Sequence, residues 1–316
     1  MKKHEEGIDF IISVYAKRYY LRMLVDSIHK YVKNIPYTIN IVNCWYGDES
    51  AGLKELNEMF GEDKKVRIIR GFDQSDTTVL QNDGSIFQDT SKKLFTGKID
   101  DNSKSASTYF NIKSFCKGLD ETNRKYTCMV DSDLIFLNDW VEDVIPLLEK
   151  YVFISNRWDP GQIFTEVQNP SPENGIAKFM FFFSKRSLYT ELFEYPSMDY
   201  RDNGGNLTYH AQQNNLPFLV LDNTYWNKNR RANYNVRITQ NGLTPIMYDH
   251  IKNWHVGGDN DEDTINRENH LIDMVYGEQM YVNKKPIAFH QNRGVRNTTF
   301  KNDDWVVKAS EYLRNN

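Results

Sequence analysis

The first half of the chain alternates two hydrophobic spacings. Ile8-Asp-Phe-Ile-Ile-Ser-Val14 is a short, nearly continuous apolar run, as in a buried strand. Leu21, Leu24, Val25, Ile28 and Val32 then recur at helical spacing, with Lys17, Arg18, Arg22, His29 and Lys33 on the other face, until Pro36 stops the helix. Thr38 to Cys44 is a second strand leading into Trp45-Tyr46-Gly47-Asp48. Leu53, Leu56, Met59 and Phe60 mark a short helix, and Lys65 to Arg70 a third strand. Phe72 to Ala106 is polar and too long for a simple connection, so it is a binding loop or a surface insertion. Ser107 to Leu119 reads as helix and Tyr126 to Val130 as a strand. Strands alternating with helices predict right-handed crossovers and a mostly parallel sheet covered on both faces, an α/β fold.

The central strand delivers Asp131 and Asp133 into a second apolar run, Leu134 to Leu137. Neither acid leads into a turn residue or a helix. The helix signal comes later, with Asp139 and Glu142 in a capping-box pattern before Val144, Leu147 and Leu148. Side chains two apart on an extended chain share a side, so the two carboxylates can converge on one object. A hard divalent cation that also carries phosphate oxygens is held by such a pair; the bland alternative is a solvated loop. In parallel sheets ligands bind beyond the carboxyl ends of the strands, and Tyr15, Asp48, Asp131 and Asp133 all fall there.

In the second half, Tyr151 to Ser155 and Lys178 to Phe183 read as strands around a Pro/Gly/Asn-rich loop, Asn156 to Gly175. Its Trp158 suits either the apolar face of a sugar or the core. Asp202 lies ahead of two glycines and a predicted helix, Leu207 to Asn214, where an acid serves as an N-cap or approaches a ligand. Pro217 to Leu221 is apolar. Lys228, Arg230 and Arg231 form a basic loop, Asp259 to Asp263 an acidic surface run, and Leu271, Ile272, Val275 and Met280 predict a further helix.

Composition narrows the class. With 316 residues, 40% hydrophobic, the chain can bury a large core. A net charge of -4 gives no global reason to expect nucleic acid as partner. Three widely spaced cysteines, Cys44, Cys116 and Cys128, fit a reduced, cytoplasmic protein better than a disulfide scaffold or zinc site. No run is long enough for a transmembrane segment, and Ile8 to Val14 is too short for a secretory core.

These residues carry a resemblance. The opening strand and helix, the second strand running to Gly47-Asp48, the helix with Asn111 and the strand entering Asp131-Ser132-Asp133 resemble the nucleotide-sugar-binding half of GT-A fold glycosyltransferases, particularly the inverting family 2 type. The resemblance implies a GT-A-like domain over residues 1–260, with a nucleotide-sugar half at 1–137 and a mixed acceptor half at 138–260. Residues 261–316 would be a helical extension packed on it. It implies a nucleotide-diphosphate sugar donor (a UDP-sugar favoured), a carbohydrate or glycan acceptor, and Mn2+ or Mg2+. By the same resemblance Asp131 meets the ribose and the metal, Asp133 the metal, Asp48 the nucleobase, and Tyr15, Asn111 and a basic residue, Lys104 or Lys113, the donor. Asp202, 71 residues past Asp131, stands where the family's catalytic base does, with Glu166 and Asp199 as alternatives. His255 completes the metal site, with His250 and His290 as rivals. The loop Cys44-Trp-Tyr-Gly-Asp48 departs from the family's small Asn-Gly-Ser-type turn. A retaining transferase would share the donor site. A nucleotidyltransferase would need a glycine-rich phosphate loop that Val14-Tyr-Ala-Lys-Arg18 does not supply, and a sugar-binding module would not need the two carboxylates.

Overall fold

A computed structural model describes residues 4–14, 19–43, 49–71, 78–80, 86–88, 114–157, 177–188, 211–212, 214–226, 236–238, 277–290 and 313–315, with the single positions 208 and 310. The chain divides into two compact units. Met1–Ala16, Asn34–Asp131 and Pro146–Val220 form the first; Lys17–Lys33, Ser132–Ile145 and Leu221–Asn316 form the second.

The first unit is built on a seven-stranded sheet in the order β10-β8-β9-β6-β1-β2-β3. Its strands are β1 (Glu5–Val14), β2 (Tyr37–Asn43), β3 (Val66–Arg70), β6 (Arg124–Asp131), β8 (Phe153–Arg157), β9 (Ala177–Lys185) and β10 (Leu219–Val220); a separate short pair is β4 (Thr78–Leu80) with β5 (Ile86–Gln88). β3, β2, β1 and β6 are parallel neighbours, β9 runs antiparallel between β6 and β8, and β10 is parallel to β8. The predicted α/β architecture is therefore present, with the mixed part of the sheet in the second half of the sequence. β1 is an interior strand, between β6 and β2, and reads as a continuous apolar run because both its faces are covered. Helix α2 (Glu49–Phe60) packs on β2 and β3. A helix over residues 114–120, α3, sets Phe115 and Leu119 against Ile11, Val42, Ile69 and Met129. Gly118 is required there: a Cβ would drive into the Ile11 side chain, so only glycine lets helix and strand approach this closely. The same core continues through Phe153, whose ring lies 4.9 Å from Phe182 and 5.0 Å from Phe218.

The second unit contains a five-stranded sheet, β12-β11-β13-β14-β7. Its members are β7 (Leu134–Phe136), β11 (Asp222–Trp226), β12 (Val236–Ile238), β13 (Gly277–Val282) and β14 (Lys285–His290). Helix α1 (Tyr19–Tyr31) packs against β7. The positions that the periodicity picks out within it, Leu21, Leu24, Val25 and Ile28, are all buried, as are Met23, Ser27 and Tyr31. Asn34, at φ 61, lies just past its end and Pro36 follows, an expected helix stop. The Phe136 and Trp140 rings stack at 5.0 Å. Among the described residues, no helix is long and apolar enough to cross a membrane.

Two local expectations are corrected. Asp139 caps nothing: α4 (Val141–Val144) begins after Trp140 without a side-chain cap, and the Asp139 carboxylate instead meets Lys33 at 3.3 Å. Pro146 then turns the helix into a 3-10 segment, Ile145–Glu149. The helix predicted through Met280 is also wrong at its end, because Met280 lies in β13. Within 261–316, expected to be a helical extension, residues 277–290 form a β-hairpin, and helical residues appear at 310 and 313–315. The hairpin turns at Asn283 and Lys284, with φ 49 and 66, between the paired Val282 and Lys285. Two successive positive φ values are what a two-residue type I′ turn needs.

Candidate functional site

β6 carries its apolar residues straight to Asp131, the last residue of the strand; Ser132 and Asp133 form a turn and β7 starts at Leu134. The two carboxylates thus do not lie on one extended strand, as the one-residue spacing suggests. A turn brings them together, since the chain leaves one sheet at Asp131 and enters another at Leu134. β14 pairs antiparallel with β7, and its last residue, His290, stands opposite Leu134. That register puts His290 Nε2 3.1 Å from Asp133 Oδ1. Both residues are buried, at 1% and 3% exposure. Asp131, two peptide bonds from Asp133, is half-buried, and one ligand atom from each of Asp131, Asp133 and His290 lies within 4.8 Å of the others.

Two carboxylates and an imidazole form a donor set suited to Mn2+ or Mg2+ rather than to a thiolate-seeking metal. The burial of Asp133 also fits: a carboxylate taken out of water needs a cation or strong donors beside it. His290 stood among the rivals in the sequence. His255 and His250 lie outside the described residues, as do Tyr15, Asp48, Lys104, Asn111, Lys113, Glu166, Asp199 and Asp202.

Asn43 was missed by the sequence reasoning. It ends β2, in register with Val14 at the end of β1, while Ser13 pairs with Asp131 on the other side of β1. Its side chain is 1% exposed, and among the described residues neither Oδ1 nor Nδ2 has a hydrogen-bond partner. Such a carboxamide costs about 1–3 kcal/mol per unsatisfied group unless something bonds to it. The only signal in the sequence was a polar amide closing an apolar run at a strand's carboxyl end. Cys128, in contrast, is a core residue: burial pushes its thiol well above the usual range, which leaves it inert as a nucleophile.

No family model and no curated protein sequence matches the chain. Among solved structures, a mannosyltransferase, PcManGT from Pyrobaculum calidifontis in complex with GDP-Man and Mn2+, is similar with TM-score 0.40 and 11% identity, over 69% of this chain and 55% of that one. S. aureus TarS, residues 1–349, is similar with TM-score 0.38 and 10% identity, over 68% and 57%. The chain thus spans little more than half the length of either structure. At these scores neither likeness identifies a reaction.

Proposed function

We propose that this chain is a metal-dependent glycosyltransferase that moves a sugar from a nucleotide-diphosphate sugar, a UDP-sugar in the first instance, to a hydroxyl of a glycan acceptor. The observation that carries the proposal is the buried Asp133–His290 pair at the turn that also holds Asp131. Its place at the carboxyl end of a strand in a largely parallel α/β sheet supports it, because ligands of such sheets bind there.

In the proposed reaction Asp133 and His290 would hold the ion, and Asp131 would help to hold it while facing the donor's ribose. A bound divalent ion supplies Lewis-acid stabilisation of the negative charge that grows on the departing diphosphate. Asp48 reads the nucleobase, and Tyr15, Lys104 and Asn111 contact the rest of the donor. Asp202 takes the proton of the acceptor hydroxyl from the opposite face of the sugar, a contribution of roughly 10²- to 10⁴-fold in rate. Attack from that face inverts the anomeric centre.

The test is a panel of UDP-, GDP- and dTDP-sugars, each with and without Mn2+, read out as release of the nucleoside diphosphate. The expected result is slow Mn2+-dependent release from one donor, water standing in for the acceptor. No release, together with no metal-dependent binding of any donor, would remove the transferase reading. An axial or equatorial product from a sugar of known configuration then separates inversion from retention.

A further inference from the structure

We infer that Ser27, in α1, is a positioning residue for Asp133, acting through the outer edge of β7. The inference rests on the proposed metal-binding role of Asp133 and His290.

β7 is three residues long and is the edge strand of its sheet. One side pairs with β14, and that pairing alone sets Leu134 opposite His290, and so Asp133 beside the ring. A strand this short makes few ladder bonds; just past it Leu137 N–H donates to Ile287 O at 2.9 Å and Asn138 Nδ2 to Pro286 O at 3.2 Å, so β14 holds the register from one side and an anchor on the other side adds to it. A slip of two residues would move Asp133 about 7 Å along the strand, out of reach of His290. The other side of an edge strand offers backbone groups with no ladder partner. Here the Phe136 N–H, on that open side, donates to Ser27 Oγ at 3.0 Å. The same hydroxyl donates to Leu24 O at 2.7 Å, so its proton is committed and its lone pair is aimed at β7.

Ser27 is fully buried on the apolar face of α1, between positions filled by Leu24, Val25 and Ile28. Helical propensity and burial would both favour Ala or Leu there. A serine that bonds back to its own helix brings little stability by itself. What it provides is an acceptor that keeps a buried edge N–H satisfied at this register. α1 thereby fixes β7, and β7 carries Asp133 at its first step.

The test uses the whole chain and Mn2+ alone, with affinity measured by electron paramagnetic resonance of the free ion. Ser27→Ala should weaken Mn2+ binding about tenfold, the usual scale for a residue that orients a ligand without touching the metal. Ser27→Thr, which keeps the hydroxyl, should bind within about threefold of the parent by the same reasoning. Equal affinity for Ser27→Ala and parent would overturn the inference, as would equal losses in the Ala and Thr variants. If the Ala variant does not fold, the parent still decides the matter. Coupling is reciprocal, so Mn2+ should slow hydrogen exchange of the peptide containing Phe136, read by mass spectrometry. Unchanged exchange on saturation with Mn2+ sinks the proposal. A parent that binds no Mn2+ at all removes the metal site itself, a different and recognisable failure.

Discussion

Two buried aspartates, one in each unit, are exposed to the same 3% and yet are held in different ways. Asp9, in β1, accepts from the backbone N–H groups of Asn123 at 3.1 Å and Arg124 at 2.7 Å. Arg186 Nη1 lies 3.5 Å and Arg124 Nε 3.9 Å from its carboxylate. Arg186 is itself tied to Thr122 Oγ1 at 2.6 Å and to Leu119 O at the end of α3. A carboxylate accepts at about four sites; on Asp9 two backbone N–H groups and Arg186 converge on Oδ2, donors that belong to the fold, while Arg124 Nε stands off Oδ1 and donates to Thr38 Oγ1. Asp133 has one recorded partner among the described residues, the His290 ring, and that partner is itself a metal ligand type. Depth of burial therefore does not mark function. What separates the two acids is what the fold itself supplies: two backbone donors and two arginines around Asp9, and among the described residues the His290 ring alone beside Asp133.

The sharpest break of this contrast is at Asp133. Asp133→Asn should lower Mn2+ affinity by about 100-fold, the upper end of what even an orienting residue costs, and His290→Gln by about tenfold. Titration with Mn2+ reads both, and a variant at either position that binds like the parent would make Asp133 a structural acid like Asp9.

Asp9→Ala should do the reverse. Losing the carboxylate leaves two backbone N–H groups and Arg186 without their acceptor, at a cost of about 3 kcal/mol. A urea melt should show this as a lower midpoint, while Mn2+ affinity stays that of the parent.

The smallest effect is one of pH. Burial pushes the Asp9 carboxyl above the ordinary 3.8, against the lowering effects of the Arg124 amide and of Arg186. Between the ordinary and the raised value the folded chain holds more protons than the unfolded one, so stability falls as pH rises through that window. Above the raised value the contribution is level. Asp9→Asn carries no such charge, so the parent's advantage over it should shrink from roughly pH 4 upward and then stay constant. An advantage that grew with pH would mean that the arginines outweigh burial.

The alternation of strand and helix from β1 to β3, and β6 after it, was legible in the sequence because its determinants are local, whereas the short pair β4 and β5 inside the polar stretch Phe72 to Ala106 was not. Apolar runs and 3.6-residue spacing at Ile8 to Val14, Leu21 to Ile28 and Leu53 to Phe60 each fix an element without reference to distant parts of the chain. Asp131 and Asp133 stood out for the same reason, as two acids where a buried strand ends. Asp139 was misread because the local capping pattern competes with an ion pair to Lys33, 106 residues away, and the pair took the side chain.

His290 was out of reach of any local rule. The turn that folds β13 onto β14 is Asn283-Lys284, not the Asn-Gly that announces a type I′ hairpin, and the spacing of Leu271, Ile272, Val275 and Met280 imitates a helix. Its nearness to Asp133 depends on strand register across 157 residues of chain. The same holds for Ser27, an unremarkable residue within α1 until β7 presents an N–H to it. The sequence alone determined the α/β alternation and the two carboxylates, since propensity and periodicity act over a few residues. Only tertiary structure brought His290 beside Asp133 and the Ser27 hydroxyl to β7, because pairing partners are chosen by the burial of whole faces rather than by neighbours in the chain.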